Sequence, residues 1–153
     1  MSRVIDTQGA CAEWTFPAEP DSVRTARRVV RDTLRAWRLE QDLGDLTVLL
    51  VSELVTNSLR YAYGPIGVRL LRVPPEHDGQ PWPEAHPEHG GHPSPALLVE
   101  VSDPLPDPPR ERLAGPEDEG GRGLQLVACS ARRWGTRKGR SGKTVWFELA
   151  LPG

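Results

Sequence analysis

Apolar and polar positions follow a helical period in two long segments of the chain. Over residues 23–39, apolar residues form one stripe and arginines form a second stripe on the other side. A second helix is predicted over residues 44–63, where Gly64-Pro65 ends it. Its first half is apolar almost all round, which is typical of a buried helix, and its second half carries a polar arc. The arc consists of Ser52, Glu53, Thr56, Asn57 and Arg60.

Shorter apolar runs predict strands between and after these helices. The strand segments are 12–17, 66–73, 96–103, 134–138 and 143–151, and a third helix is predicted over 123–133. Strands and helices mix without strict βαβ alternation. We therefore expect an α+β fold, a two-layer sandwich with one sheet and helices on one face.

Loop-forming composition sets the expected domain organisation. Residues 1–11 look like a flexible lead, and residues 12–153 predict a single domain. Within it, residues 74–95 are rich in Pro and Gly, hold all four histidines and predict a flexible insertion. Residues 104–121 predict a second long loop. The 15 glycines and 16 prolines of the chain agree with a core interrupted by irregular segments.

Charge and hydropathy narrow the classes of partner. The chain has 19 basic and 21 acidic side chains and a net charge of -2, which favours neither nucleic acid nor an anionic membrane. No apolar run approaches the ~18 residues of a membrane span, and the first residues do not resemble a signal peptide. Two cysteines are too few for a disulfide framework, so we expect a cytoplasmic protein. From the charge and the hydropathy, we expect no direct nucleic-acid or membrane partner.

Three short segments have side chains suited to nucleotide chemistry. Glu53 and Asn57 are four residues apart, so on a helix they point the same way, one turn apart. A Glu near a metal can accept a proton, and an Asn oxygen is a suitable ligand for Mg²⁺. Asp103 ends a hydrophobic strand, where a carboxylate can accept from the amine of adenine and select ATP over GTP. The glycine-rich turn at 120–123 would present backbone N–H groups to phosphates at a helix start.

These segments together resemble the GHKL ATPase superfamily, in the family's order. ELVTNSLRYA at 53–62 is similar to the N-box, VSD at 101–103 to the start of the first glycine box, and GRGL at 121–124 to the second box. GKTVWF at 142–147 is similar to the strand that supplies a Thr near adenine. The resemblance spans roughly residues 12–151 and implies a Bergerat-type ATP-binding fold, whose sheet is mixed and mainly antiparallel.

The resemblance also implies roles for individual residues. Glu53 would be the catalytic base, Asn57 would bind Mg²⁺, and Asp103 would bind adenine. The remaining residues expected to bind the ATP cofactor are Gly121, Arg122, Gly123, Leu124 and Thr144. One departure is clear: the family's Asp-x-Gly-x-Gly is replaced by DPLPDPP at 103–109. Because proline fixes φ and removes an N–H donor, we expect a stiffer ATP lid over 104–121 with fewer backbone contacts to ATP.

The branch that the chain resembles most is the bacterial anti-sigma-factor serine/threonine kinases of the actinobacterial stand-alone type. That resemblance implies an ATP-dependent kinase that phosphorylates a STAS-type antagonist, sequesters a sigma factor, or does both. The alternative is a non-catalytic module that binds a regulator and keeps the fold with weak or no ATP turnover. Homodimers are common in the family, and the sequence leaves that option open.

Weaker signals leave further alternatives. The arginine stripe is either a solvated helix face or a docking surface for an acidic partner. The histidines at 86, 89 and 92 have a spacing that permits metal binding, but the composition favours a solvated loop. A sensor histidine kinase domain would need a phosphoacceptor histidine on a helix, so this chain would have to act on another protein.

Overall fold

Six strands form one antiparallel sheet in the computed structural model, which describes residues 2–5, 11–61, 64–73, 95–104, 119–139 and 142–151. The strands are β1 (Ser2–Ile5), β2 (Cys11–Phe16), β3 (Ile66–Val73), β4 (Ala96–Asp103), β5 (Arg133–Gly139) and β6 (Gly142–Ala150). Their order across the sheet is β1-β2-β3-β4-β6-β5, so β6 lies between β4 and β5. Every described pair of neighbouring strands is antiparallel.

Three α-helices and one short π-helical turn complete the described fold. They are α1 (Asp21–Ala36), the π-helical turn Glu40–Gly44, α2 (Asp45–Tyr61) and α3 (Glu119–Ser130). α2 contacts α1, α3, β3 and β4, so it is the helix that joins the two layers. The expected α+β fold with one sheet and a helical layer is confirmed.

Strand register divides the sheet into two faces. Trp14, Val68, Val101 and Val145 lie directly opposite one another across four strands and are buried in the main core with residues of α1 and α2. We call this side the helix face. Because side chains alternate along a strand, the next row points the other way, onto what we call the outer face. That row consists of Thr15, Gly67, Ser102, Thr144 and Arg137.

The start of the chain differs from the expectation of a flexible lead over 1–11. Residues Ser2–Ile5 form β1, which pairs with β2 in antiparallel register. An edge strand offers unpaired backbone N–H and C=O groups, and the β-branched Val4 and Ile5 favour an extended backbone beside them. The lead is therefore part of the sheet in its first residues.

The third helix also begins earlier than the sequence predicts. α3 starts at Glu119 and ends at Ser130, whereas the apolar pattern indicated residues 123–133. Glycine is a poor helix former, so the glycines at 120, 121 and 123 concealed the first turn. The predicted insertion at 74–95 and lid at 104–121 lie outside the described residues, apart from Pro95, Pro104 and the first residues of α3.

Two arginines of the α1 stripe are engaged within the chain. Arg35 donates two hydrogen bonds to Glu40, from Nε to Oε2 at 2.9 Å and from Nη2 to Oε1 at 3.2 Å. The Nη1 of Arg31 lies 3.1 Å from the Oδ1 of Asp45. The hydrogen bond from Arg35 lowers the pKa of Glu40, although desolvation opposes it. This contact therefore favours the fold at neutral pH and weakens as the pH falls through the Glu40 pKa.

The described helices were also compared with the requirements of a membrane span. None of them, within the residues that the structure describes, is long and apolar enough to cross a bilayer.

Candidate functional site

Asp103 ends β4 as a buried carboxylate on the helix face. Only 6% of the residue is exposed, and its Oδ2 accepts a hydrogen bond of 3.1 Å from Ser58 Oγ on α2. The Nζ of Lys143, the residue directly opposite on β6, lies 3.9 Å from the same oxygen. A carboxylate taken out of water needs such partners. The end of β4 is thus joined to both α2 and β6.

Gly142 brings the start of β6 into direct backbone contact with the end of β4. A Cβ built on Gly142 would lie 1.9 Å from the carbonyl oxygen of Asp103, and the φ of Gly142 is +154°. Both the space and the dihedral angle require glycine here. This contact fixes Lys143 opposite Asp103.

α2 also carries Glu53 and Asn57, the two residues that resemble the N-box. Glu53 and Asn57 are both half-buried, and they lie one helical turn apart on one face. Ser58, the neighbour of Asn57, makes the hydrogen bond to Asp103. The C-terminal half of α2 therefore contacts the Asp103 carboxylate through Ser58.

Asn57 carries an unsatisfied acceptor. Its Oδ1 is buried and has no hydrogen-bond partner within the described part of the chain. An unpaired buried polar group costs about 1–3 kcal/mol, so it calls for an explanation. A neutral amide oxygen is a suitable Mg²⁺ ligand where substrate phosphates and water supply the other ligands.

Thr144 and Asp103 border the same cavity at the end of the sheet, but the Thr144 hydroxyl lies on the other face of the strands. The Thr144 and Ser102 hydroxyls are 2.8 Å apart and hydrogen-bonded on the outer face. Lys143 holds the position next to Asp103 on the helix face, so sequence reasoning missed it. The role of Thr144 near adenine stays a prediction from the resemblance, without support from its orientation.

The alternation of side-chain direction along β6 indicates on which face of the sheet Lys143 lies. Val145, Phe147 and Leu149 face the main core, and the same parity places Lys143 on the helix face. Trp146 is buried too, at 4% exposure, because it packs in a second apolar cluster on the outer face. The continuous apolar run at 145–147 conceals the alternation in the sequence.

The segment 121–124, which resembles the second glycine box, spans the first and second turns of α3. The backbone of Gly121 and Gly123 is helical, and this helix starts at Glu119. The first four N–H groups of a helix lack partners within it and carry its positive dipole end. Leu124 is half-buried and packs against the main core, and α3 contacts α2. The box residues are thus carried by a helix packed beside that of Glu53 and Asn57.

The proline that replaces the first-box pattern after Asp103 makes a structural contact. A Cβ built on Gly64 would lie 2.4 Å from the Cγ of Pro104, so the proline ring packs against the turn that follows α2. The other prolines of the predicted lid lie outside the described residues. Pro104 therefore lacks a backbone N–H donor, as expected, and its ring packs against the turn between α2 and β3.

A second concave region lies at the same end of the sheet. It has a volume of about 590 Å³ and includes the outer-face row between Thr15 and Arg137. The residues around it also include Asp103 and the basic residues Arg137, Lys138 and Lys143, so both the outer-face row and the next row of the sheet end border it. Arg137 also forms an ion pair with Glu100, which Arg69 Nη1 contacts at 3.1 Å. This outer-face cavity was not predicted, since its residues come from five strands.

The chain was compared with models of protein families. The model of the histidine kinase-like ATPase domain matches residues 16–149. The matched span includes α1, α2, α3 and all the site residues that the sequence indicated. A search of curated proteins finds no significant match.

Proposed function

The chain belongs to the family of histidine kinase-like ATPase domains, and on that premise we propose that it is an ATP-binding regulatory kinase of the anti-sigma-factor type. The observation that carries the proposal is the buried, unpartnered Oδ1 of Asn57 beside the Ser58–Asp103 hydrogen bond. Asn57 Oδ1 has no donor in the described chain and lies on the same helix as Glu53. A site that a metal and phosphates complete would leave such an oxygen unpaired.

Each residue of the proposed site has a distinct task. Asp103 accepts from the base, and Ser58 holds its carboxylate in place. Glu53 accepts the proton of the serine hydroxyl that attacks the γ-phosphate. The N-terminus of α3, with Gly121 in its first turn, supports the phosphates through backbone N–H groups, and Gly123 follows in the next turn.

Magnesium, held by Asn57 and the phosphates, would neutralise charge on the transferring group. Phosphoryl transfer depends mostly on positioning and electrostatic stabilisation, so few protein groups are needed at the reacting centre. Asn57 and Glu53, one turn apart on α2, supply a ligand and a base from one rigid element. The hydroxyl and the phosphates have to meet beside that face of α2.

The proposed partners are a sigma factor and a STAS-type antagonist, the latter as the phosphorylated substrate, with the cytoplasm as the setting. A phosphoserine that appears on a STAS-type partner only with chain, ATP and Mg²⁺ present would support kinase activity. Complex formation with a sigma factor without any phosphoserine would support sequestration. Self-association into a homodimer is compatible with either activity.

A non-catalytic regulator is the second candidate, and two observations favour it. Pro104 removes a backbone donor immediately after Asp103. Lys143 already lies beside the carboxylate that would accept from the base. In this candidate the fold binds a partner protein, and nucleotide binding is weak or absent.

We expect Asn57→Ala to lose Mg²⁺-dependent ATP binding, because it removes the oxygen assigned to the metal. Isothermal titration calorimetry of the purified chain with ATP, with and without Mg²⁺, measures this. In the presence of Mg²⁺, we expect the affinity for ATP to fall about tenfold or more, as it does when a metal ligand or a residue that orients one is removed.

Thr47→Val is the matched control for Asn57→Ala. Thr47 Oγ1 is the other buried, unpartnered oxygen that we describe on α2, and Thr47 is fully buried in the first turns of the helix. Its loss should leave MgATP affinity unchanged. Equal MgATP affinity in Asn57→Ala and the wild-type chain would contradict the metal assignment, and no ATP binding by the wild-type chain would favour the non-catalytic candidate.

We expect Glu53→Ala to keep MgATP binding and to lose turnover by about two orders of magnitude, the contribution of a positioned general base. A single-turnover assay that follows the γ-phosphate of radiolabelled ATP measures this, with a STAS-type acceptor present. Glu53→Gln keeps the shape of the side chain and should lose turnover equally. Retained turnover in both variants would remove Glu53 as the base, and absent turnover in the wild-type chain would support the non-catalytic candidate.

A further inference from the structure

Lys143 places a cation at the point where the nucleotide base is expected to bind. It lies directly opposite Asp103 in the β4–β6 ladder, and its Nζ is 3.9 Å from the Asp103 Oδ2. Directly opposite residues in an antiparallel pair point to the same face. The hydrogen bond from Ser58 of α2 shows that this is the helix face.

The Lys143 side chain is mostly buried, and the position of its backbone is fixed by the strand register. The side chain of Lys143 is 22% exposed. The contact between Gly142 and the Asp103 carbonyl keeps the two strand ends in register. Lys138, directly opposite Lys143 on β5, is exposed instead. Lys143 is therefore part of the wall that carries Asp103, whereas Lys138 is a surface residue.

The ion pair leaves the donors of Lys143 available. A separation of 3.9 Å is too long for a hydrogen bond, so the attraction to Asp103 is Coulombic. Within the residues described, the Lys143 ammonium has no hydrogen-bond acceptor. Three N–H donors beside a carboxylate form a mixed donor and acceptor edge.

Purine bases differ in what they present to such an edge. Adenine has an amine at carbon 6, and a carboxylate can accept from it. Guanine and hypoxanthine have an oxygen there, which accepts hydrogen bonds, next to a protonated ring nitrogen that donates. A lone carboxylate would repel that oxygen. An ammonium next to the carboxylate donates to the oxygen through a charge-assisted bond while Asp103 accepts from the ring N–H.

We propose that Lys143 is a base-contacting specificity residue that lets the site bind purine nucleotides with an oxygen at carbon 6, such as ITP and GTP, alongside ATP. This inference rests on the proposed nucleotide site. It replaces the expectation that Asp103 alone selects ATP over GTP, since the paired lysine supplies the donor that a 6-oxopurine needs.

Calorimetric titration of the wild-type chain and Lys143→Met with ATP, ITP and GTP, all with Mg²⁺, tests the inference. ITP is the sharpest probe, because it differs from ATP only at the edge that Asp103 and Lys143 would contact. In the wild-type chain we expect ITP and ATP affinities within about tenfold of each other. Lys143→Met should weaken ITP and GTP by about tenfold or more and leave ATP unchanged or tighter, as expected for an unpaired acceptor.

Two further variants and a melting temperature complete the design. Lys138→Met removes an exposed lysine from the neighbouring strand and should leave the ratio of ITP to ATP affinity unchanged. Lys143→Arg keeps a cationic donor and should retain ITP binding. The melting temperature of each variant shows whether it is folded, and the wild-type comparison of ITP with ATP does not depend on any variant.

Each outcome separates this inference from the proposed function. ATP binding by the wild-type chain with ITP and GTP more than a hundredfold weaker would overturn the role of Lys143 and leave the ATP site intact. An unchanged ITP-to-ATP ratio in folded Lys143→Met would do the same. Failure of the wild-type chain to bind any of the three nucleotides would overturn the proposed function and this inference with it.

Discussion

We expect Gly142→Ala to lower the free energy of unfolding by roughly 3–5 kcal/mol, a range reserved for substitutions that force a steric or backbone conflict. The added Cβ would lie 1.9 Å from the carbonyl oxygen of Asp103 and 3.0 Å from the Cα of Pro104. Backbone atoms cannot rotate away, so β4 and β6 would have to separate at this end. The φ of +154° adds a dihedral cost that glycine does not have.

Urea denaturation followed by circular dichroism measures this loss, with Gly139→Ala as the matched control. Gly139 is directly opposite Gly142 in the β5–β6 pair, and a Cβ there would lie 3.8 Å from the Gly142 carbonyl, an ordinary contact. Its substitution should change stability by less than about 1 kcal/mol. A Gly142→Ala loss as small as that of Gly139→Ala would show that the strand ends are not in contact.

The second large effect is expected for Arg132→Met, at about 3–5 kcal/mol of lost stability, because it leaves a buried carboxylate without its cation. Glu148 is fully buried on β6, and its Oε1 accepts from Arg132 Nε at 2.7 Å and also from Nη2. Its Oε2 has no hydrogen-bond partner among the described residues. Loss of the arginine therefore removes most of what offsets the burial of this charge.

The double variant Arg132→Met/Glu148→Met and the single variant Arg137→Met show whether the charge is the cause. The double variant removes both charges and should recover most of the stability, since a buried pair replaced by apolar groups is often neutral. Arg137→Met removes one of the two arginines that contact Glu100, and Arg69 stays 3.1 Å from this carboxylate. We therefore expect Arg137→Met to lower the free energy of unfolding by only about 1 kcal/mol. Equal losses in Arg132→Met and the double variant would refute the role of the buried charge.

The strands that the sequence predicted best are those with clear ends. β3 and β4 have the predicted bounds of 66–73 and 96–103, because each is rich in aliphatic residues and is flanked by proline on both sides. α2 was found within two residues at each end, because its apolar first half and Gly64-Pro65 mark it clearly. The N-box residues were placed on one face of α2 by spacing alone.

The missed features depend on contacts between distant segments. β1 exists through pairing with β2, and the sequence of the lead has no strong pattern of its own. The π-helical turn at Glu40–Gly44 leaves no distinctive signal in composition. The position of Lys143 opposite Asp103 follows from the strand register, which a hydrophobic run at 145–147 does not reveal.

The position of β6 between β4 and β5 has a consequence for the order of folding. The wall that carries Asp103 and Lys143 joins two strands that are far apart in the chain, whereas β6 is close in sequence only to β5. Loop closure over long separations is slow, so the β5–β6 hairpin is expected to form before it docks onto β4. During synthesis, a chain that has not yet extended β6 therefore has α2 and β4 but lacks the strand that places Lys143 opposite Asp103.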